Sequence, residues 1–206
     1  MIGRTGLMAL LALLAGSLAG CAGQAGGTGR TTTAPAAGAR NRVKVPAGLA
    51  VSRVSSQTVQ PQPASGSCHA IGHGLLTRPD PRCTPGALNP NVRQSDIRQT
   101  ICVTGWTATV RPPEPITESE KQASMAAYRD TSSLSGYEYD HLVPLELGGA
   151  TNDPRNLWPE PGASPNPKDT VELELRDRVC DGRMTLAQAQ REIASNWIKL
   201  AHPGGL

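Results

Sequence analysis

The residue types with the clearest chemical potential lie between Tyr137 and Pro161. Asp140 and His141 close a strand-like run, a Gly148-Gly149 turn follows, and a lone Asn156-Leu157 pair comes next. A neutral imidazole is a suitable general base near neutral pH. A carboxylate beside it can hold a hard cation. The stretch therefore predicts base chemistry next to a cation.

The two reactive residues are neighbours in sequence, which constrains the backbone that carries them. Side chains of neighbours in an ideal strand point to opposite faces. Asp140 and His141 can therefore converge on one ligand only if the strand bends or ends there. Pro144 and the Gly148-Gly149 turn favour such an end.

The order of these residues resembles the HNH nuclease family, whose core is a ββα-metal finger. The matching residues are Asp140-His141, Pro144-Leu145, Gly148-Gly149 and Asn156-Leu157. The longer pattern, "YEYDHLVPLELGG", "NLWPEP", "KD" and "VCDG", looks similar to a subgroup of exported bacterial HNH-like proteins. The resemblance covers roughly residues 99–198.

This resemblance implies metal-dependent hydrolysis of phosphodiester bonds in DNA or RNA. His141 would activate the attacking water, Asp140 would bind the metal, and Asn156 would bridge the two strands and hold the His loop. The family usually adds a His on the helix, but no His lies between His141 and His202. Asn166 stands at the matching point, so the three motif residues are His141, Asn156 and Asn166 (H-N-N). An amide oxygen beside Asp140 favours Mg²⁺ or Mn²⁺ over zinc as the bound metal.

Less specific explanations exist for each of these residues. Asp140 and His141 could form a polar strand end without a catalytic role. Asn166 precedes Pro167, so an N-cap explains it without a metal, although a cap also sits at the positive helix end that binds phosphate. Lys168 and Arg155 could contact substrate phosphates or simply be solvated.

The N-terminus predicts export. Arg4 precedes a short apolar run over residues 6–20, which is too short to span a membrane comfortably. Leu18-Ala19-Gly20-Cys21 resembles a bacterial lipobox, which implies cleavage before Cys21 and its lipidation; an ordinary secretory signal is the alternative. We expect a signal peptide over 1–20, a flexible linker over 21–60 and anchoring to the membrane of the cell envelope through the N-terminal lipid.

Export makes the four other cysteines candidates for disulfides. Three pairings are possible, and we favour Cys68–Cys83 and Cys102–Cys180. The first would staple a loop-rich segment over residues 61–98, and the second would tie a strand to a helix end. No cysteine pair has the spacing of a zinc knuckle.

Composition limits the core and the partners. The chain has 206 residues, no Phe and a formal charge of +3. This charge permits contact with a polyanion without requiring it. The core must come from aliphatic residues and the three tryptophans, Trp106, Trp158 and Trp197.

Local patterns predict an α+β fold with little strand content: a small ββα-metal (His-Me finger) core with additional helices, preceded by a disordered tether. The nuclease domain should span residues 99–200. Strands are expected around Gly105, over residues 137–143 and over 156–158. Helices are expected over 117–128, from Asn166 to Asp181, and from Thr185 onward, with apolar stripes Val171, Leu175, Val179 and Leu186, Ala189, Ile193, Trp197.

The sequence thus predicts an exported, lipid-anchored HNH-like endonuclease with a nucleic-acid substrate and a divalent cation. One alternative is a catalytically inactive envelope protein that keeps the ββα shape for binding. Another is an adhesion or cell-wall module whose function lies in the Cys68–Cys83 region.

Overall fold

The computed structural model describes residues 45–201, which form a mixed α+β fold with small sheets. Each sheet has two strands. The strands are β1 (Ala50–Val51), β2 (Ile71–His73), β3 (Leu76–Arg78), β4 (Ala87–Leu88), β5 (Tyr137–His141) and β6 (Leu157–Pro161). The α-helices are α1 (Trp106–Val110), α2 (Glu114–Ala127), α3 (Pro167–Cys180) and α4 (Leu186–Leu200). Short 3-10 helices cover Gln94–Gln99, Leu134–Gly136 and Leu145–Leu147.

The hairpin of β5 and β6 is the longest sheet and leads directly into α3. The strands pair antiparallel, with Tyr137 opposite Pro161 and His141 opposite Leu157. The strand predicted over residues 137–143 is therefore present, although it ends at His141. Its partner begins at Leu157 and is longer than the extended piece expected from the sequence.

The two C-terminal helices form the main part of the core. Asn166 caps α3 in a capping box with Asp169, and Thr185 caps α4 in the same way with Gln188. Both predicted apolar stripes are buried. Gly182, at a φ of +75°, follows the end of α3. The predictions for these two helices are confirmed.

The core extends beyond the boundary expected near residue 99. Leu88, Val92 and Ile97 are buried in the same cluster as α3 and α4. Strand β1 also pairs in parallel with β4, which places residues 50–51 of the predicted linker within the fold. The segment 61–98 therefore does not lie wholly outside the core, because Leu88, Val92 and Ile97 pack into it.

Between residues 99 and 128, the predicted strand is wrong, and the predicted helix is present but starts earlier than expected. The β-branched stretch around Gly105 forms turns over residues 100–105 and then α1, with Gly105 at a φ of +79° before the helix. Helix α2 begins at Glu114 rather than Thr117. Pro115 is tolerated in its first turn, because the N–H that proline lacks would have no intrahelical partner there. Extended backbone between α1 and α2 is limited to Arg111–Pro113.

Both predicted disulfides are present. Cys68–Cys83 closes a separation of 15 residues and Cys102–Cys180 one of 78. Cys102 lies in a turn rather than in the predicted strand. The bridges indicate an oxidising, extracellular environment.

The position of the chain relative to a membrane rests on the N-terminal prediction. Within residues 45–201, no helix has the length and apolar character needed to cross a bilayer. Cys21, the signal peptide and most of the predicted linker lie outside the described residues.

The predicted burial of the tryptophans is confirmed for two of them. Trp158 and Trp197 are fully buried, whereas Trp106 is partly buried at the edge of the core. The interior that lacks Phe is thus filled by indoles, as the composition predicts.

The turn after β5 predicts a test of local packing. A Cβ on Gly149 would overlap the Val143 carbonyl oxygen and lie 2.9 Å from Nδ2 of Asn156. We expect Gly149→Ala to lower the free energy of unfolding by about 3 kcal/mol in a urea titration. Gly136→Ala is the control, since nothing lies within 4 Å of its added Cβ. A tolerated Gly149→Ala would contradict the tight packing of this turn.

Candidate functional site

His141 is the last residue of β5, and its ring is held by one hydrogen bond. Nε2 lies 3.0 Å from the carbonyl oxygen of Thr151. A carbonyl oxygen only accepts, so Nε2 carries the proton and Nδ1 keeps its lone pair. Burial lowers the pKa of His141 to about 4. The imidazole is therefore neutral at physiological pH, with Nδ1 as its basic atom.

Asn156 fixes the loop that follows His141. Its Oδ1 accepts from the backbone N–H of Val143 at 3.0 Å and of Ala87 at 3.3 Å. Its Nδ2 donates to the carbonyls of Val143 at 2.9 Å and Ala150 at 3.1 Å. The side chain is fully buried. These contacts make Asn156 a brace rather than a group that touches substrate.

Asp140 is paired with a buried lysine. Its Oδ2 lies 2.8 Å from Nζ of Lys168, whose side chain is 1% exposed. Lys168 also donates to the carbonyl of His141 at 2.8 Å and pairs with Glu172. The ammonium therefore points into the protein, away from the solvent where a substrate phosphate would lie. The predicted phosphate contact of Lys168 does not fit this placement.

Further carboxyl groups surround this pair. Glu160 is 1% exposed, and within the described residues its oxygens accept no hydrogen bond, but its carboxyl group lies within hydrogen-bonding reach of the Asp140 carboxylate. Burial and the neighbouring Asp140 carboxylate raise its pKa far above the ordinary value. Burial also raises the pKa of Glu138 to about 7 and that of Glu172 to about 8. We call Glu138, Asp140, Glu160, Lys168 and Glu172 the acid–lysine cluster.

The excess of carboxyl groups in the acid–lysine cluster has a chemical consequence. One ammonium faces four carboxyl groups, and burial disfavours every uncompensated negative charge. Protons therefore remain on some of the carboxyl groups at pH values where exposed glutamates are ionised. A divalent cation would compete with those protons.

Asn166 uses its amide oxygen as a helix cap. Oδ1 accepts from the backbone N–H of Lys168 at 2.9 Å and of Asp169 at 3.4 Å. Nδ2 donates to Oε2 of Glu138 at 3.2 Å, which places Asn166 beside the acid–lysine cluster. Since the oxygen already accepts two hydrogen bonds, its role as a metal ligand stays a prediction.

Arg155 is held away from the site by its own ion pair. Its guanidinium contacts both carboxylate oxygens of Asp153, at 2.9 and 2.6 Å, and the side chain is about half exposed. Such a bidentate pair occupies much of the donor fork. The structure therefore gives no support to the predicted phosphate contact of Arg155.

A cavity of about 250 Å³ joins the two central predicted residues. Asp140 and His141 both line it, so the end of β5 allows these neighbours to reach one space. Asn166 is not among the lining residues, which also include Arg111, Glu138 and Glu172. The structure thus unites the Asp-His pair and leaves the third predicted ligand beside it.

Three residues of the candidate site were not identified from the sequence. Glu172 follows Lys168 by four residues, a spacing that predicts a helical ion pair. Glu160 sits opposite Glu138 in the hairpin, but only the strand register reveals it. Arg111 is far in sequence from the motif, and nothing local to it signals its position.

No ready-made metal centre accompanies this geometry. Among residues 45–201, no three His, Cys, Asp or Glu side chains are grouped so that they could hold a metal ion. The Asp140 carboxylate instead has the Lys168 ammonium as its cation.

Comparison of the chain with protein families, with curated proteins and with solved structures finds no match.

Proposed function

We propose that the protein is an exported, lipid-anchored endonuclease that hydrolyses phosphodiester bonds in DNA or RNA with the help of a divalent cation. The observation that carries this proposal is the state of His141. Its Nε2–H is committed to Thr151, and its free Nδ1 belongs to a neutral ring beside a cavity shared with Asp140. The order of β5, β6 and α3 supports a ββα core, the arrangement expected from the HNH resemblance.

The reaction would begin with a water in front of the His141 ring. Nδ1 accepts a proton from this water while the water oxygen attacks phosphorus, and the leaving oxygen departs with the electron pair of the broken P–O bond. A base with a pKa near 4 is too weak to deprotonate free water unaided. Positive charge near the attacked phosphate must therefore supply part of the activation.

The donors beside His141 are oxygens, the atom type that a hard cation prefers, although among residues 45–201 they are not grouped as a ready-made metal site. Both Glu160 oxygens are buried and accept no hydrogen bond from a donor in the described part of the chain, and Asp140 and Glu138 lie nearby. A set made only of oxygens suits Mg²⁺ or Mn²⁺. Such an ion would supply positive charge and lower the pKa of a bound water. We assign Asp140 as the principal ligand, and Asn166 could join it only by leaving its cap.

Cleavage assays test this proposal. The purified full-length chain, with its disulfides formed, should nick supercoiled plasmid in Mg²⁺ or Mn²⁺ and stop in chelator. We expect His141→Ala to reduce the rate by on the order of 10²- to 10⁴-fold, because the general base is lost. His73→Ala is the matched control, since His73 is an exposed residue of β2. Equal cleavage by His141→Ala and the wild type would remove His141 from the mechanism.

One observation favours the alternative of a catalytically inactive binding protein in the envelope. The ammonium of Lys168 already neutralises Asp140, as a bound cation would. If this pair is permanent, the ββα shape is retained without metal chemistry. Titration calorimetry with MgCl₂ and MnCl₂ distinguishes the two functions. No heat of binding from a folded sample, together with no nicking, would select the binding protein.

A further inference from the structure

Arg111 is an exposed cation that lines the site. It lines the cavity of about 250 Å³ that contains Asp140 and His141, and also two neighbouring cavities of about 490 and 510 Å³. His141 and Glu138 line the second of these as well. Of these three cavities, Arg53 lines only the third, together with Arg111. Arg111 therefore stands where three open spaces meet, two of them beside His141.

The guanidinium of Arg111 is available for a ligand. Its side chain is exposed, and across residues 45–201 it makes no ion pair or hydrogen bond. Arg82, Arg155 and Arg183, by contrast, are each paired with an aspartate two positions away. A free fork of five N–H donors matches the oxygens of a phosphate.

The smallest of these three cavities, of about 250 Å³, has a carboxyl-rich lining that requires an unpaired cation for a phosphate to bind. Five of its lining residues carry carboxyl groups: Glu138, Asp140, Glu146, Asp169 and Glu172. A phosphodiester entering this space would be repelled unless a positive group met it. Lys168 is buried and committed to Asp140 and Glu172, so it cannot serve. Arg111 is the one lysine or arginine among the residues that line this cavity.

The backbone that carries Arg111 is well fixed. Its N–H donates to the carbonyl of Thr107 at 3.1 Å and closes the last turn of α1. Pro112 and Pro113 follow, and prolines restrict their own φ and the conformation of the preceding residue.

From these observations we propose that Arg111 binds the non-bridging oxygens of the phosphate in front of His141. This inference rests on the proposed phosphodiester substrate. The guanidinium would hold the phosphate against the carboxyl-rich wall and stabilise the negative charge that grows on it during attack by water. Arg111 is thus a substrate-binding residue from an element outside the ββα core.

Binding and turnover of a fluorescein-labelled DNA 20-mer test the inference separately. Binding is measured by anisotropy in the His141→Ala background, at several salt concentrations. We expect Arg111→Ala to weaken binding by about 10-fold and to reduce the salt slope by about one, because one phosphate contact is lost. In the active background with Mg²⁺, it should lower kcat/KM by on the order of 10²-fold. Arg111→Lys should recover part of both losses.

Arg98→Ala is the matched control, since Arg98 is exposed and lines none of the three cavities. Circular dichroism confirms that each variant is folded. If Arg111→Ala binds and cleaves like Arg98→Ala, the inference is overturned while the nuclease function stands. If the wild type binds the 20-mer through Arg111 but does not cleave it, the inference stands and the nuclease function falls. If the His141→Ala protein with Arg111 intact does not bind the 20-mer, the inference is also overturned.

Discussion

Lys168→Met is expected to lower the free energy of unfolding by about 3–5 kcal/mol at pH 8, because the change leaves buried carboxylates without their cation. Lys168 is 1% exposed and contacts Asp140, Glu172 and the carbonyl of His141. Methionine has a similar length and no charge. Urea unfolding followed by circular dichroism measures the loss.

The loss should depend on pH, and its sign follows from the carboxyl groups. Burial raises the pKa of Glu138 to about 7 and that of Glu172 to about 8. An acid with a raised folded-state pKa contributes stability below its unfolded pKa, and this contribution is lost as pH rises through the folded value. Wild-type stability from these two groups should therefore decline between about pH 4.5 and pH 8.

Removing the ammonium should make this decline steeper. Without Lys168, the pKa of Glu172 rises further, because the ammonium that lowers it is gone, so Lys168→Met should be closest to the wild type near pH 5 and furthest from it at pH 8. Lys199→Met, at an exposed position of α4, is the control and should change stability by less than about 0.5 kcal/mol. A loss that is the same at both pH values would show that packing, rather than charge compensation, explains the effect.

The same variant bears on the choice between nuclease and binding protein. If the cluster accepts a divalent cation, MgCl₂ should restore part of the stability lost in Lys168→Met, because an ion that binds only the folded state shifts the equilibrium toward it. The wild type should gain less, since Lys168 already neutralises Asp140. This comparison measures directly whether the ammonium and a metal compete for the same carboxylates.

The parts of the fold that were predictable from the sequence are those fixed by local rules. Helix α3 was identifiable from the Asn166 cap, Pro167 and the spacing of Val171, Leu175 and Val179, all of which act within a few residues of chain. The disulfide pairing followed from loop lengths and the export signal. Strand β5 was predicted over residues 137–143, although it ends two residues earlier, at His141.

The parts that were not predictable depend on tertiary contacts. The β-branched stretch before Trp106 has strand propensity, but Cys102 is bonded to Cys180 and Gly105 starts α1. Propensity yields to such constraints. Likewise, the sequence shows Lys168 as one more charged helix residue. Its burial follows only from the placement of Asp140 on one side and Glu172 on the other.

The longer-range disulfide is expected to stabilise the protein more than the shorter one. Cys102–Cys180 spans 78 residues and Cys68–Cys83 spans 15. On the loop-entropy model, Cys102→Ser/Cys180→Ser should lose about 4–5 kcal/mol and Cys68→Ser/Cys83→Ser about 3 kcal/mol. Typical domains have only about 5–15 kcal/mol of stability, so the first variant approaches the unfolding threshold. Thermal unfolding of both double variants at equal concentration measures the difference.

The functional consequence should differ between the two bridges as well. Cys180 is the last residue of α3, whose first turn holds Lys168 and Asn166, and Cys102 leads through α1 to Arg111. Loss of this bridge removes the disulfide cross-link between the segment that leads to the proposed phosphate-binding arginine and the helix of the acid–lysine cluster. Oligonucleotide binding should therefore weaken more in Cys102→Ser/Cys180→Ser than in Cys68→Ser/Cys83→Ser, measured at a temperature where both are folded. Equal binding by the two variants would mean that packing alone positions Arg111.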